Sequence, residues 1–245
     1  MNLILLDPAE IGPGGEVRLE GRRAAHVLEV LRPAPGERLQ VGAVGGLLGT
    51  GEVLALAPGA VTLKVVLDHP PPPRAPVDLL LALPRPKILR KVLHAAAAMG
   101  VGRVVLLGSW RVEKSYFGSP LLAPGALEAE LRLGLEQGRD TVAPDVQVRR
   151  FFKPFVEDEL EAAFPGAQRL LAHPAAAAPI EDLAPRAPRA VVAVGPEGGW
   201  TPYEADALSR HGFESFSLGP RVLRVDAAVP FVAGQVELWL RTGRH

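Results

Sequence analysis

The chain has 245 residues and a formal net charge of zero, with 48% hydrophobic and 22% charged residues. This balance is ordinary for a globular protein and argues against a protein that coats nucleic acid through many phosphate contacts. The longest apolar runs, such as Leu79–Leu83 and Ala190–Val194, are too short to cross a bilayer, and residues 1–10 lack the features of a signal peptide. Cysteine is absent, which excludes disulfides and thiolate metal sites. We therefore predict a cytoplasmic protein with no membrane partner.

The first 70 residues are predicted to form a small β-rich module. Short β-like segments are separated by turns that contain Gly or Pro, at a spacing of roughly 8–12 residues that is typical of a small sheet or barrel. One helix is expected at Arg22–Leu31. The predicted strands are Glu16–Leu19, Arg38–Val44, Glu52–Ala57 and Val61–Leu67.

A run of four prolines within His69–Pro76 marks the sharpest change in composition. Proline cannot continue a helix or a central strand, and a run of prolines favours a stiff, extended spacer. We predict a first domain at residues 1–70, a linker at 71–76 and a second domain at 77–245. The alternative is a surface loop within a single domain.

After the linker, predicted strands and helices alternate, which is typical of an α/β protein with a mostly parallel sheet. Thr201, Pro202 and Glu204 predict the start of a helix that ends at Gly212, because they form a capping box with proline in the first turn. In the last helix, Pro230 is expected only in the first turn. The other predicted elements are strands at Val77–Leu83, Arg103–Leu107, Arg169–His173, Ala190–Val194 and Ser215–Leu218, and helices at Lys87–Met99, Gly125–Gln137, Phe155–Phe164 and Ala227–Leu240.

Two glycine-containing loops, Gly195–Trp200 and Leu218–Arg224, each lead from a predicted strand into a predicted helix. Glycine lets a ligand approach bare backbone, and a helix N-terminus offers unpaired N–H groups. Ligands of parallel α/β sheets bind at the carboxyl ends of the strands. The loops therefore predict one small-molecule pocket, with an adenine-sized apolar slot and mostly backbone contacts. The alternative for the first loop is a tight turn.

Several other chemistries are excluded by the residues around these loops. No Gly-Lys-Ser/Thr follows the first loop as a Walker A sequence requires, neither loop has GxGxxG spacing, and no serine is flanked as in GxSxG. The six histidines have no metal-ligand spacing, so we predict no metal site. Spacing alone leaves the ligand open among flat, mostly neutral molecules.

The two loops resemble the signature of a known family. Residues Gly195–Trp200 with Thr201 and Glu204, followed by Leu218–Arg224, are similar to motifs of the ribosomal small-subunit RNA methyltransferase E family, in the SPOUT superfamily. The similarity extends to two further elements: Ala25-His26-Val27-Leu28 with Val30-Leu31-Arg32 and Gly36, and Glu136-Gln137 with Arg139 and Pro144.

The resemblance implies an α/β fold in which a PUA-like N-terminal β-barrel helps to hold RNA and a C-terminal parallel-sheet domain contains a trefoil knot. It implies S-adenosyl-L-methionine as cofactor, methylation of N3 of one uridine in 16S ribosomal RNA, either free or within the small ribosomal subunit, and a homodimer. The expected cofactor-binding residues are Ala172, His173, Val194, Gly195, Pro196, Glu197, Gly198, Gly199, Leu218, Gly219, Val222 and Leu223.

Three residues are candidates for the chemistry. Arg221 and Arg224 lie beside the second loop and are expected to stabilise negative charge that develops on the uridine oxygens. Glu197 is expected to orient the cofactor's amino group or to accept a proton. The alternative for Arg224 is a structural ion pair with Asp226.

RNA binding is expected to depend on local positive charge. Residues 84–114 contain seven Lys and Arg residues against only one acidic residue, Glu113, and a second basic group lies in the small domain. The alternative is a solvated, charged helix face. The residues expected to bind RNA are Arg22, Arg23, Arg32, Arg85, Lys87, Arg111 and Lys114.

Two segments depart from the family's pattern. Where the family has a lysine and a Glu-Leu-Gly-Val run, this chain has His94 and Ala98-Met99-Gly100-Val101, and Val225-Asp226-Ala227 replaces the family's Thr-Glu-Thr/Ala. Two further hypotheses therefore stay open: a related knotted methyltransferase with another RNA substrate, and a non-catalytic RNA-binding protein with a relic pocket.

Overall fold

The computed structural model describes residues 2–243 and contains two sheets. The smaller sheet has five strands in the order β1-β3-β4-β5-β2, with β1 parallel to β3 and the other neighbours antiparallel. Its strands alternate buried and exposed residues, as in β2, where Val17 and Leu19 face the core and Arg18 faces solvent. The bounds are β1 Ile4–Leu6, β2 Glu16–Glu20, β3 Arg38–Ala43, β4 Leu48–Ala57 and β5 Ala60–His69, with helix α1 at Gly21–His26.

The larger sheet has six strands, all parallel, in the order β11-β9-β10-β6-β7-β8. Its central strands β6 and β10 are buried along their whole length, as expected for a parallel sheet covered on both faces. β10 lies between β6 and β9, although both of those strands precede it in the chain. The bounds are β6 Val77–Ala82, β7 Arg103–Leu107, β8 Asp145–Arg149, β9 Gln168–Ala172, β10 Ala190–Val194 and β11 Glu214–Phe216.

Helices pack against the larger sheet and against each other. α2 contacts both α3 and α7, and α7 also contacts β6 and β10. None of the helices within residues 2–243 is both long and apolar enough to span a membrane. The bounds are α2 Pro86–Ala98, α3 Pro124–Gly138, α4 Phe152–Pro154, α5 Leu160–Ala163, α6 Pro202–Arg210 and α7 Val225–Thr242.

Polar contacts join the two sheets. The buried carboxylate of Glu136 on α3 accepts two hydrogen bonds from Arg22, at 2.9 and 2.7 Å. Thr141 Oγ1 donates to the Gly46 carbonyl at 2.6 Å. The segment between the sheets has no regular secondary structure, but Arg74 within it donates to Asp140 Oδ2 and to two backbone carbonyls. The proline-rich segment is therefore fastened to the larger sheet.

The capping box was correctly predicted: Thr201 Oγ1 accepts from Glu204 N, and the Glu204 carboxylate accepts from Thr201 N. Two predictions were wrong in detail. Pro230 lies in the second turn of α7, because that helix begins at Val225 rather than Ala227. The helix predicted at Phe155–Phe164 has a π-helical turn at Phe155–Glu159 between α4 and α5. Strands β1 and β8 were not predicted at all.

Candidate functional site

The two glycine-containing loops leave the same edge of the larger sheet. Val194 at the end of β10 pairs with Ala172 at the end of β9, and Ala172 pairs with Phe216 at the end of β11. The segments that follow these three strands therefore meet at the carboxyl edge, where parallel sheets place their ligands. Between them lies a cavity of about 300 Å³.

Eleven of the twelve residues predicted to bind a cofactor line this cavity; the exception is Gly198. The walls are mostly apolar, with backbone of both loops exposed between the side chains, as expected for a small-molecule site. The predicted residues that line the cavity are Ala172, His173, Val194, Gly195, Pro196, Glu197, Gly199, Leu218, Gly219, Val222 and Leu223. Spacing of the two loops was sufficient to predict that they form one cavity.

A tight turn shapes the first loop. Gly199 has a φ of +72°, which favours glycine, and its N–H donates to the Pro196 carbonyl at 2.8 Å. A Cβ on Gly195 would lie 3.1 Å from Trp200 N, so glycine permits the loop to fold closely onto the buried Trp200. The predicted tight turn and the predicted pocket are thus both present in the same loop.

Gly198 faces away from the cavity, toward Arg111. The guanidinium of Arg111 donates to the Gly198 carbonyl, and a Cβ on Gly198 would lie 3.1 Å from Arg111 Cδ. Arg111, predicted to bind RNA, therefore also holds the first loop in place. A charge reversal at Arg111 would perturb the cavity as well as any RNA contact.

The rim of the cavity carries the charged candidates. Glu197, Arg221 and Arg224 all line it, together with Arg85. Arg85 donates to Glu197 Oε1 from Nε at 3.2 Å, and no group within residues 2–243 bonds to Glu197 Oε2. One carboxylate oxygen of Glu197 is therefore free to meet a ligand.

Asp226, in the first turn of α7, is held by a lysine. Lys91 Nζ donates to Asp226 Oδ2 at 2.8 Å, whereas Arg224 Nε is 3.8 Å from Asp226 Oδ1. The hydrogen bond from Lys91 lowers the pKa of Asp226, and the charge of Arg224 adds to that effect. The ion pair between Arg224 and Asp226 is thus present but long, and Lys91 is the closer partner of the Asp226 carboxylate.

The remaining residues predicted to bind RNA are scattered. Arg22 pairs with Glu136 and Arg23 with Glu10. Arg32 is exposed at the end of a π-helical turn, Val27–Leu31, which directly follows α1. Lys87 is exposed in the first turn of α2, and Lys114 lines a separate groove described below. The structure brings Arg85 and Arg111 beside the cavity but leaves the three arginines of the small sheet apart from it.

Three further residues that were not among the predicted site residues also line the cavity: Pro174, Val225 and Ala228. Pro174 and Val225 adjoin predicted residues in the sequence, so wider loop boundaries would have included them. Ala228 lies three residues further on, one helical turn into α7, and it could have been found only from the helix geometry. Within residues 2–243 there is no cluster of three or more His, Cys, Asp or Glu residues that could hold a metal ion; His245 lies outside the described residues.

Fold and cavity together define an α/β protein with a cavity at the carboxyl edge of a parallel sheet, the place where such sheets bind their ligands. A family model described as an RNA methyltransferase domain matches residues 70–237. This chain belongs to that RNA methyltransferase family, in agreement with the resemblance of its loops.

Curated relatives extend the match to nearly the whole chain. Ribosomal RNA small subunit methyltransferase E of Treponema pallidum is 27% identical over 250 residues, which cover 98% of this chain and 94% of the relative. The protein of the same name from Mycobacterium bovis is 28% identical over 226 residues, covering 91% and 86%.

Solved structures share the fold. The Neisseria gonorrhoeae ribosomal RNA small subunit methyltransferase E, bound to S-adenosyl methionine, has a TM-score of 0.75 and 20% identity over 98% of each chain. A Legionella pneumophila methyltransferase in complex with the same cofactor has a TM-score of 0.75 and 23% identity over 97% of each chain. Because these matches cover 97–98% of this chain, the fold that it shares with the two structures includes both sheets.

Proposed function

We propose that this protein transfers a methyl group from S-adenosylmethionine to N3 of a specific uridine in 16S ribosomal RNA. The observation that carries the proposal is the single cavity formed by the two family-signature loops at the carboxyl edge of the parallel sheet. The names of the relatives, which methylate RNA of the small ribosomal subunit, support the same substrate class.

The cavity fits the cofactor by its chemistry. Its apolar walls and exposed loop backbone suit an adenine ring, and the free oxygen of Glu197 suits a cationic amino group. When bound, S-adenosylmethionine supplies an electrophilic methyl group on its sulfonium.

In this proposal, different cavity residues bind the cofactor and stabilise the charge that develops on the uridine. The cavity-lining residues of the two loops fix the cofactor through backbone contacts, and Glu197 orients its amino group. Arg221 and Arg224 stabilise the negative charge on the uridine oxygens as the weakly acidic N3 proton passes to the Glu197 carboxylate or to water. Alignment of N3 with the methyl group supplies much of the acceleration, because proximity and orientation replace a bimolecular encounter.

The target base must be unpaired or flipped out, since N3 lies on the Watson–Crick edge. Arg85, Lys87, Arg111 and Lys114 surround this edge of the sheet and are proposed to hold the RNA backbone. Arg22, Arg23 and Arg32 are proposed to extend the contact beside the small sheet, through the exposed side chain of Arg32 and the surface that the ion pairs of Arg22 and Arg23 leave exposed.

The domain organisation is part of the proposal. We assign residues 1–70 to a PUA-like RNA-binding domain, 71–76 to a linker and 77–245 to a knotted SPOUT-type methyltransferase domain. Support for the division comes from two separate buried clusters, one centred on the larger sheet, which Leu3 and Leu5 join, and one within the smaller sheet. Support for the trefoil knot comes from β10, which lies between β6 and β9 in the sheet although it follows both of them in the sequence.

A homodimer is proposed to form through the outer face of α7. Phe231 is 46% exposed and Leu238 is 54% exposed, and they lie seven residues apart on one face of that helix. Between them, Gln235 has a buried Oε1 with no donor among residues 2–243. Sedimentation equilibrium should give a dimer, and Leu238→Glu should give a monomer; a monomeric wild type would contradict this assignment.

Mass spectrometry of digested RNA tests the function. Unmodified 16S RNA and unmodified small subunits are each incubated with the protein and S-adenosylmethionine, and the nucleosides are separated. We expect N3-methyluridine in a protein-dependent amount. A different methylated nucleoside, or a product only on another RNA, would favour a related methyltransferase. RNA binding without any methyl transfer would favour a non-catalytic protein.

A further inference from the structure

A second, larger concavity lies on the other side of the first loop. It has a volume of about 820 Å³ and lies between the segments that follow β7 and β8 and the first turn of α6. It adjoins the first cavity, because Trp200 lines one, Thr201 lines the other, and the ring of Trp200 lies 5.9 Å from that of Phe152 in the groove wall. We call this concavity the aromatic groove.

Three exposed aromatic side chains line the aromatic groove. Trp110 is 86% exposed, Phe151 is 71% exposed and Tyr203 is 58% exposed. They come from three different segments of the chain, so their convergence on one groove is a property of the fold and not of a local apolar run. Large aromatic surface left in water at one place marks an interaction site.

Cationic side chains surround these rings. Lys114, Arg150 and Lys153 line the groove and are exposed. The guanidinium carbon of Arg150 lies 5.7 Å from the ring centre of Phe117, and neither Lys114 nor Arg150 pairs with a carboxylate within residues 2–243. Lys153 has only a long contact of 3.8 Å with Glu157. An anionic partner would therefore meet positive charge that the protein itself leaves unneutralised.

The one acidic residue that lines the groove is Glu204, and its carboxylate is not available to a ligand. Glu204 is 3% exposed and accepts hydrogen bonds from Trp110 N at 2.7 Å and from Thr201 N and Oγ1, both at 2.8 Å. This carboxylate anchors the backbone of Trp110 to α6 while the indole stays in solvent. The groove thus presents an exposed indole ring, carried on an anchored backbone, amid cations.

From this arrangement we propose that the aromatic groove binds unpaired RNA bases next to the modified nucleotide. The bases stack on Trp110, Phe151 and Tyr203, and Lys114, Arg150 and Lys153 contact the phosphates. Stacking platforms combined with cations are the means by which proteins hold single-stranded nucleic acid, and a duplex cannot offer its base faces in this way. The proposal deepens the proposed function and rests on it for the identity of the RNA.

Fluorescence anisotropy tests the groove directly. The probe is a labelled oligouridylate of about 12 nucleotides, a length that spans a typical single-strand site, and an RNA duplex of the same length is the comparison. We expect tighter binding of the oligouridylate. Trp110→Ala and Phe151→Ala should each raise its Kd at least about 5-fold, the lower end expected for loss of one stacked base. Trp110→Phe, which keeps a ring, should retain most of the affinity.

The chain offers internal controls. Leu133→Ala removes an apolar side chain, 38% exposed on α3, that lies outside both cavities, and should leave the Kd unchanged.

Arg150→Gln should lower the dependence of log Kd on log salt by about one unit, whereas Trp110→Ala should leave that slope unchanged. Trp110 is also the one tryptophan of the three in direct contact with solvent, since Trp200 and Trp239 are 5% and 7% exposed, so RNA binding should quench its emission.

The outcomes separate the groove from the catalytic assignment. Trp110→Ala should raise the KM for 16S RNA and leave kcat and S-adenosylmethionine affinity near wild type, because stacking outside the reacting base is uniform binding. Unchanged oligouridylate affinity and unchanged KM in a methylating enzyme would overturn the groove and leave the function standing. Loss of oligouridylate affinity in a protein that transfers no methyl group would support the groove and refute the function. If Trp110→Ala lost self-association but kept its affinity for RNA, the groove would be a protein contact and the proposal would be overturned.

Discussion

Replacing Glu204 with glutamine would perturb both cavities through one buried group. The Glu204 carboxylate accepts three hydrogen bonds, from Trp110 N, Thr201 N and Thr201 Oγ1. It therefore ties the loop after β7 to the start of α6, at the border between the proposed cofactor cavity and the aromatic groove. Glutamine has nearly the same shape but replaces one acceptor oxygen with an NH₂ donor.

The loss of stability can be estimated by counting the hydrogen-bond donors that the Glu204 carboxylate satisfies. Whichever way the amide is turned, its NH₂ group faces a backbone N–H, so at least one buried donor loses its acceptor. An unsatisfied buried donor costs about 1–3 kcal/mol, and loss of a negative charge at a helix N-terminus costs about 0.3–1 kcal/mol more. We expect Glu204→Gln to lower the free energy of unfolding by about 1.3–4 kcal/mol, which for a chain of this size lowers Tm by about 3–16 °C.

Thermal and urea unfolding followed by circular dichroism would measure this change. Glu37→Gln is the matched control, because Glu37 is exposed and such surface changes alter stability by less than about 0.5 kcal/mol. A Glu204→Gln protein with the stability of the control would refute the account of this carboxylate as the anchor of the Trp110 loop.

Three other predictions concern separate parts of the molecule. Gly134→Ala should destabilise the protein by about 1–3 kcal/mol, because the new Cβ would lie 2.5 Å from the His94 carbonyl oxygen, whereas Gly125→Ala on the same helix meets no atom within 4 Å and should be neutral or stabilising in urea unfolding. A hydrogen bond from Arg23 lowers the pKa of Glu10 from 4.5 to about 2, so its stabilisation is complete above about pH 4.5 and is lost as the pH falls toward 2. Glu10→Gln should therefore cost about 1–2 kcal/mol at pH 7, allowing for partial exposure, and almost nothing at pH 2; an equal effect at both pH values would contradict the pairing. Lys114→Glu should weaken RNA binding in anisotropy and leave calorimetric binding of S-adenosylmethionine unchanged. Loss of both would contradict the position of Lys114, which lines the aromatic groove and not the first cavity.

The sequence predicted the elements best where burial is complete. The strands at Arg103–Leu107 and Ala190–Val194 were predicted with the observed bounds, because continuous apolar runs end at clear breaks. β8 was missed because each of its residues is at least partly exposed, so it carries neither an apolar run nor a clean alternation. β1 was missed because three residues give too short a pattern.

The cavity was predicted from its two loops, but the polar contacts around it were not. Local motifs identified the cavity, since the strand, loop and helix that build it follow each other directly in the chain. The partners of Arg22, Arg85 and Arg111 lie 114, 112 and 87 residues away in sequence, so no spacing rule could have paired them. The aromatic groove escaped notice for the same reason, because its rings come from segments that only the folded sheet brings together.

Isothermal titration of S-adenosylmethionine into the wild type and into Ala228→Leu tests the central claim most directly. Ala228 lines the cavity at the first turn of α7 and is 7% exposed, so a leucine there would fill space that the cofactor is proposed to occupy. We predict one cofactor per chain for the wild type and at least a tenfold weaker affinity for the variant, with cooperative unfolding retained. A folded wild type that gives no binding heat, or a variant that binds as tightly as the wild type, would contradict the assignment of this cavity to the cofactor.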